Sequence, residues 1–300
     1  MTDSLVCIQQ AALQQVQLSP LLQNSATSEV LKQLQQQCYP AKAYQAYNQR
    51  PDLLTNLAAL PLQLGCSREQ LARLLMLKLL AEFSVQQLPL ATTVDISNNY
   101  QRSLQRIHQL WANATETQLQ KSDIFLKDIG LLTGSLLPCA ERVVEPCSAI
   151  QRSLLYNKGF AQAVNFLRVL AEARGNKPVC RLHIHLSEIK QLTAAGWRQT
   201  CLQLAELLLL NPQLKGVVGA CWFYDPAITT VSPRLAFISQ LLSEMQASWF
   251  YSHAEGESSG AFSRSATRQH AYAAGQYKPK NYVIFIPRRR LLAWYNRQKM

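Results

Sequence analysis

The sequence predicts an α/β protein: a mixed α+β sheet domain preceded by an all-helical N-terminal region. Three observations carry this expectation. Apolar residues recur at helical spacing through roughly the first 120 positions. Beyond residue 122, short apolar runs alternate with longer helical patterns, punctuated by Gly, Pro and Asn. The positive charge is also confined to the second half. Residues 1–150 hold 11 Lys/Arg and 11 Asp/Glu, whereas residues 151–300 hold 19 against 7. The two parts are therefore expected as a helical region, 1–121, and a basic α/β domain, 122–300.

The helical region opens with a Gln-rich periodic stretch, 5–16, broken by Ser19-Pro20. Helical spacing resumes over 28–38 and stops before Tyr39-Pro40. Ser67 followed three residues later by Gln70 has the form of a capping box opening an apolar helix over 71–83. Residues 99–114 place Leu104, Ile107, His108 and Trp111 on one helical face. The spacing then predicts strands at 124–132 and 141–144, with a turn at Thr133-Gly134-Ser135. A helix over 160–173 is closed by Arg174-Gly175-Asn176-Lys177-Pro178. Next come a strand (179–186), a helix (194–210) ended by Asn211-Pro212, a strand (216–224) and a Pro-initiated helix (233–245). Strands at 248–251 and 282–286 and a basic terminal helix complete the pattern. Strands alternating with helices imply βαβ units and a partly parallel sheet.

Composition excludes several classes. With 300 residues, 48% of them apolar, the chain can bury one large or two ordinary cores. The apolar runs at 71–83 and 202–210 are interrupted by Arg73, Lys78 and Glu206, and neither approaches the ~20 residues of a membrane span. Met1-Thr2-Asp3-Ser4 has neither the basic nor the apolar region of a signal peptide. The eight cysteines are scattered without a C-x-x-C pair, as expected of free thiols in a reducing compartment. A cytoplasmic location is expected. From residue 264 to the end there are nine basic residues and no acid. Such a field concentrates phosphates, nucleic acid or acidic lipid, with Arg264, Arg268, Lys278, Arg288, Arg289 and Arg290 as the expected anion contacts.

Two motifs carry candidate chemistry. In His183-Ile-His185-Leu-Ser-Glu188 a strand puts the two imidazoles on one face and Glu188 on the other, so no metal site is expected. His183 and His185 stay as pocket-lining bases or as structural histidines. Gln191-Leu-Thr-Ala194-Ala195-Gly196 lies between a strand and a helix, where backbone N–H groups can cradle a phosphate. Gln191-x-x-Ala194-x-Gly196 resembles the pyrophosphate motif Q/R-x-x-G-x-G/A of the GNAT acyltransferase superfamily, and residues 179–253 resemble that family's order of elements. The resemblance implies an N-acyltransferase using acyl-CoA. Gln191, Ala194, Ala195 and Gly196 would bind pyrophosphate and Arg198 would support its charge. His183 or His185 would serve as general base toward an amine, and Tyr224 as acid. Ala194 stands at the family's first Gly, and 237–240 lacks the Tyr often found there.

Residues 216–226, Ser232-Pro233-Arg234, Ser265-x-Thr267-Arg268 and Gly275-x-Tyr277 also resemble an uncharacterised bacterial protein family, a resemblance that implies no activity. Strand alternation over 216–224 would put Cys221, Phe223 and Asp225 on one face, with Trp222 and Tyr224 on the other. Tyr224 or Asp225 would then line a site at the strand's C-terminal edge. Cys180 and Cys221 lack the local signature of a Cys–His hydrolase. Two other readings remain open. Tyr272, Tyr277, Tyr282, Trp294 and Tyr295 interleave with cations, which suits stacking on single-stranded nucleic acid. Leu291, Leu292, Trp294 and Tyr295 among the cations of Arg288–Lys299 suit an anionic membrane surface.

Overall fold

The computed structural model describes residues 2–112, 122–186, 192–263 and 265–300. The chain divides into two compact units, Met1–Pro146 with Ile184–Ile189, and Cys147–His183 with Lys190–Met300. Its strands are β1 (Leu137–Cys139), β2 (Arg142–Ser148), β3 (Val179–His183), β4 (Gly216–Cys221), β5 (Ser248–Ala254) and β6 (Lys280–Pro287). They run in the order β1-β2-β3-β4-β6-β5. The β3–β4 pair is parallel, while β1–β2, β4–β6 and β5–β6 are antiparallel. The protein is thus a mixed α/β protein with a helical N-terminus, as the sequence predicts.

The first unit contains α1 (Thr2–Gln17), α2 (Ser25–Gln37), α3 (Pro51–Leu64), α4 (Arg68–Ala81), α5 (Val94–Ala112) and α6 (Ser122–Leu132). The capping box forms: Gln70 N–H donates to Ser67 Oγ at 3.1 Å, and Ser67 N–H donates to Gln70 Oε1 at 2.8 Å. Beyond this cap, α4 buries Leu71, Leu74, Leu75, Met76, Leu77, Leu79 and Leu80. A helix apolar on nearly all sides belongs in a core, and α4 packs against α1, α2, α3, α5 and α6.

One expectation fails here. Residues 124–132 form helix α6, not a strand. Phe125, Leu126, Ile129, Leu131 and Leu132 of α6 are buried, as are Lys127 and Asp128. Without a polar face, a short buried helix shows no period that separates it from a buried strand. The hairpin that follows is tied to α5: Tyr100 Oη donates to the Leu136 carbonyl at 2.8 Å, and Asn99 Nδ2 donates to that of Pro138 at 3.4 Å.

The second unit adds α7 (Gly159–Ala173), α8 (Ala194–Leu210), α9 (Ile228–Val231), α10 (Ala236–Glu244), α11 (Ala266–Ala273) and α12 (Arg288–Lys299). Alternation sends Val218, Phe250, Val283 and Phe285 to one sheet face, where they pack with Phe166 and Val169 of α7. Phe166 meets Phe250 edge-on at 5.3 Å between ring centroids. Helix α12 packs on α8, β4 and β6. Leu291, Trp294 and Tyr295 are buried, so α12 cannot present them as a membrane face. Tyr277 and Tyr282 are buried as well, which removes most of the expected stacking platform.

The strand expected over 216–224 ends at Cys221, opposite Tyr282, and Trp222–Tyr224 make a single 3-10 turn. Tyr224 folds back over Gly219, where a Cβ would stand 2.6 Å from Tyr224 Oη. Only glycine leaves that space, and the alternation expected for Phe223 and Asp225 is lost.

The inward and outward faces of α7 give opposite expectations. Phe166→Ala should cost about 3–5 kcal/mol, whereas Leu167→Ala, at an exposed position, should stay within about 0.5 kcal/mol. Urea denaturation of the two variants checks the orientation; equal losses would contradict it.

Candidate functional site

In the second unit, the turn after β4 and the segment between β5 and β6 bring polar side chains together. Asp225, in extended conformation before Pro226, ends the 3-10 turn by donating its N–H to the Trp222 carbonyl at 3.1 Å. Its Oδ1 accepts from Ala227 N–H at 3.1 Å and so opens the turn into α9. Its side chain is buried, yet among the described residues Oδ2 accepts no hydrogen bond. Ser265 caps α11 by accepting from Arg268 N–H at 3.3 Å. That cap sets Arg268, itself buried, to donate from Nε to the Ala261 carbonyl (2.6 Å) and from Nη1 to Ser232 Oγ (2.9 Å). Its guanidinium lies 4.6 Å from the Trp222 ring centroid, a cation–π distance.

Tyr277 follows α11 through a turn that needs Gly275 at φ +70°. The ring is buried, and among the described residues its hydroxyl has no hydrogen-bond partner. Burial, with the Asp225 carboxylate next and against the opposing pull of Arg268, pushes the phenol up to about 12. Tyr277 is therefore a neutral donor and acceptor near neutral pH. Glu255 adds a second negative charge nearby, held by Asn281 Nδ2 at 2.8 Å and by Ser259 Oγ. Among the described residues the buried atoms left unengaged here are thus a carboxylate oxygen and a phenol, while Arg268 is occupied. Arg234, which adds to burial in lowering the Arg268 pKa, is exposed.

The other expected residues lie elsewhere. His183 ends β3 in the second unit, half-buried; His185 belongs to the first unit and is fully buried. His185 Nε2 stands 3.1 Å from Asp128 Oδ1. The same carboxylate accepts from Arg106 Nη2 at 2.6 Å and from Trp111 Nε1 at 2.9 Å. Burial alone would raise the Asp128 carboxyl, but Arg106 and His185 outweigh it and hold the group below its usual range. Nearby, Lys127 Nζ donates to the Ile184 carbonyl at 2.6 Å. These contacts hold His185 in a packed interior rather than on the rim of a pocket.

Gln191 and Arg264 lie outside the described residues. Ala194 and Ala195 begin α8, but the Gly196 N–H is already donated to Thr193 Oγ1 at 3.0 Å, as an N-cap. Arg198 pairs with Glu244 at 3.2 Å and with Gln298 at 2.5 Å. Tyr224 is buried beside Gly219. Arg288 caps the end of α8 through the carbonyls of Leu208 and, at 3.1 Å, Asn211. Arg290 pairs with Glu172, its Nε 2.9 Å from Oε1, while Lys278 and Arg289 are exposed. Of the expected anion contacts, Arg268, Arg288 and Arg290 are thus engaged with the protein itself.

Protein-family models, curated proteins and solved structures offer no match to this chain. The cluster therefore rests on its own geometry. Within it, Asp225, Ser232, Arg268 and Tyr277 lie in the segments 216–226, 232–234, 265–268 and 275–277 that stand out in the sequence, whereas Glu255 carried no sequence signal. Its role depends on Asn281 and Ser259, and no spacing in the sequence links the three.

Two outcomes are expected. Tyr277→Phe should change stability by less than about 1 kcal/mol, because its hydroxyl has no partner among the described residues, whereas Arg268→Ala should cost about 2–4 kcal/mol through the buried groups it leaves unpaired. Chemical denaturation distinguishes them. Asp128→Asn should destabilise by about 3 kcal/mol at neutral pH by breaking a buried ionic network. A lowered carboxyl stabilises the fold above the unfolded value of about 4 and loses that contribution as pH falls through the folded value. The gap between wild type and Asp128→Asn should therefore narrow in acid, as thermal melts at stepped pH would record.

Proposed function

We propose that the second unit binds a small molecule carrying a primary amine or hydroxyl group, received by Asp225 and Tyr277 over the Trp222–Arg268 stack. The supporting observation is the pair of buried polar atoms, Asp225 Oδ2 and Tyr277 Oη, that have no partner among the described residues. A buried carboxylate oxygen left without a donor costs about 1–3 kcal/mol, and a donor from a ligand would recover a similar amount. Charge selects the ligand class. Asp225 and Glu255 repel an anion, and the Arg268 donors to Ala261 and Ser232 are already used. A cationic or neutral donor suits the remaining atoms.

The reaction we propose for such an amine is acyl transfer from a CoA thioester, resting on the resemblance at Gln191–Gly196. Weighing against it are the Gly196 N–H committed to Thr193, the Arg198–Glu244 pair and the buried, enclosed setting of His185. The test has two arms on the full chain. In the first, calorimetry and thermal shift with a panel of primary amines and polyols should yield binders, weakened roughly tenfold or more in Asp225→Asn by loss of a charge-assisted hydrogen bond. If no donor ligand binds, or Asp225→Asn binds unchanged, the site assignment fails. In the second, absence of any shift with CoA or acetyl-CoA removes acyl transfer and leaves the amine site standing.

A further inference from the structure

Helix α7 turns Phe166, Val169 and Ala173 inward. Residues advance about 100° each along a helix, so Phe160, Val164, Leu167 and Ala171 form one stripe on the opposite side. That stripe is exposed: Phe160 is 85% accessible, Leu167 55% and Val164 47%, and Tyr156 just before the helix is 83%. Scattered apolar residues on a surface need no explanation, but a contiguous ridge does.

The charges around this ridge are of one sign. Between residues 147 and 183 the chain has six Lys/Arg and a single acid, Glu172. Glu172 is neutralised by Arg290, whose Nε lies 2.9 and 3.1 Å from its two oxygens. Arg168 on the helix, Arg174 at its C-terminal end and Arg152 ahead of it are exposed, whereas Lys158 reaches over the Tyr251 and Tyr282 rings of the sheet. On the flank carrying Arg168, a cavity of about 890 Å³ opens between α7 and the start of α12, lined by Asn165, Arg168, Gln246, Arg289 and Arg290 and also by Glu172, the acid that Arg290 pairs. Arg168 and Arg289 supply exposed cations there, and Asn165 and Gln246 supply amides.

We infer that the outer face of α7 is a docking surface for an anionic lipid bilayer. The apolar ridge enters the interface, flanking cations meet the headgroups, and the Arg168–Arg289 cavity receives a lipid phosphate. A bilayer fits better than an acidic protein because the face is a convex apolar ridge with Arg168 on one flank, Arg289 across the cavity from it and Arg174 at the helix end, so that apolar and cationic groups meet the interface together. The same chemistry had been expected at Arg288–Lys299, but there the apolar side chains face the core.

The experiment is co-sedimentation of the full chain with vesicles of phosphatidylcholine containing phosphatidylglycerol, compared with phosphatidylcholine alone. Binding should require the anionic lipid and fall as salt screens it. Phe160→Ser combined with Leu167→Ser should weaken binding roughly tenfold or more, and so should Arg168→Glu with Arg289→Glu. Melting temperatures should stay near wild type, since all four side chains are exposed. Failure of the wild type to bind anionic vesicles would overturn the inference. So would unchanged binding by both double variants, or a dimer detected by sedimentation that Phe160→Ser with Leu167→Ser dissociates.

Discussion

Asp128 is a fully buried carboxylate, a group that cannot stay ionised in an interior without several partners. It gathers three: Arg106 and Trp111 from α5, and His185 from a segment that follows β3. Through it helix α6 is tied to α5, and Lys127, the residue before Asp128, donates to the Ile184 carbonyl. The chain leaves the second unit at His183, contributes Ile184–Ile189 to the first, and returns at Lys190. Two histidines two residues apart thus fall in different units, and His185 is a partner of the buried acid.

A similar economy governs the arginines. The net charge of +12 suggests a surface available to anions, yet several of the strongest cations serve the interior. Arg268 ties Ser232 and Ala261 to Trp222, Arg288 closes the C-terminus of α8, and Arg290 holds Glu172. Guanidinium suits this use, since its fork of donors can satisfy several carbonyls or a carboxylate at once. Part of the charge that remains exposed gathers around α7 and the adjoining cavity, at Arg168, Arg174 and Arg289. The side chains around Asp225 and Tyr277 are by contrast rich in acceptors.

What the sequence by itself determined was local. Ser67 and Gln70 specify the start of α4 because a capping box closes within four residues. The Arg174–Pro178 stop ends α7, and the alternation of strands with helices yields the mixed sheet. Asp225, Arg268 and Tyr277 could be singled out by motif, although the reason they converge could not. What only the tertiary structure decided depended on contacts distant in sequence. Whether 124–132 was strand or helix turned on its burial from every side, which erases the period that distinguishes the two. The path of 216–225 turned on Tyr224 folding over Gly219. The fate of the cations turned on which acids and carbonyls reached them, Glu172 and Arg290 lying 118 positions apart. Propensity and capping act over a few residues, so a sequence displays them; burial and pairing are settled only when distant segments share one volume.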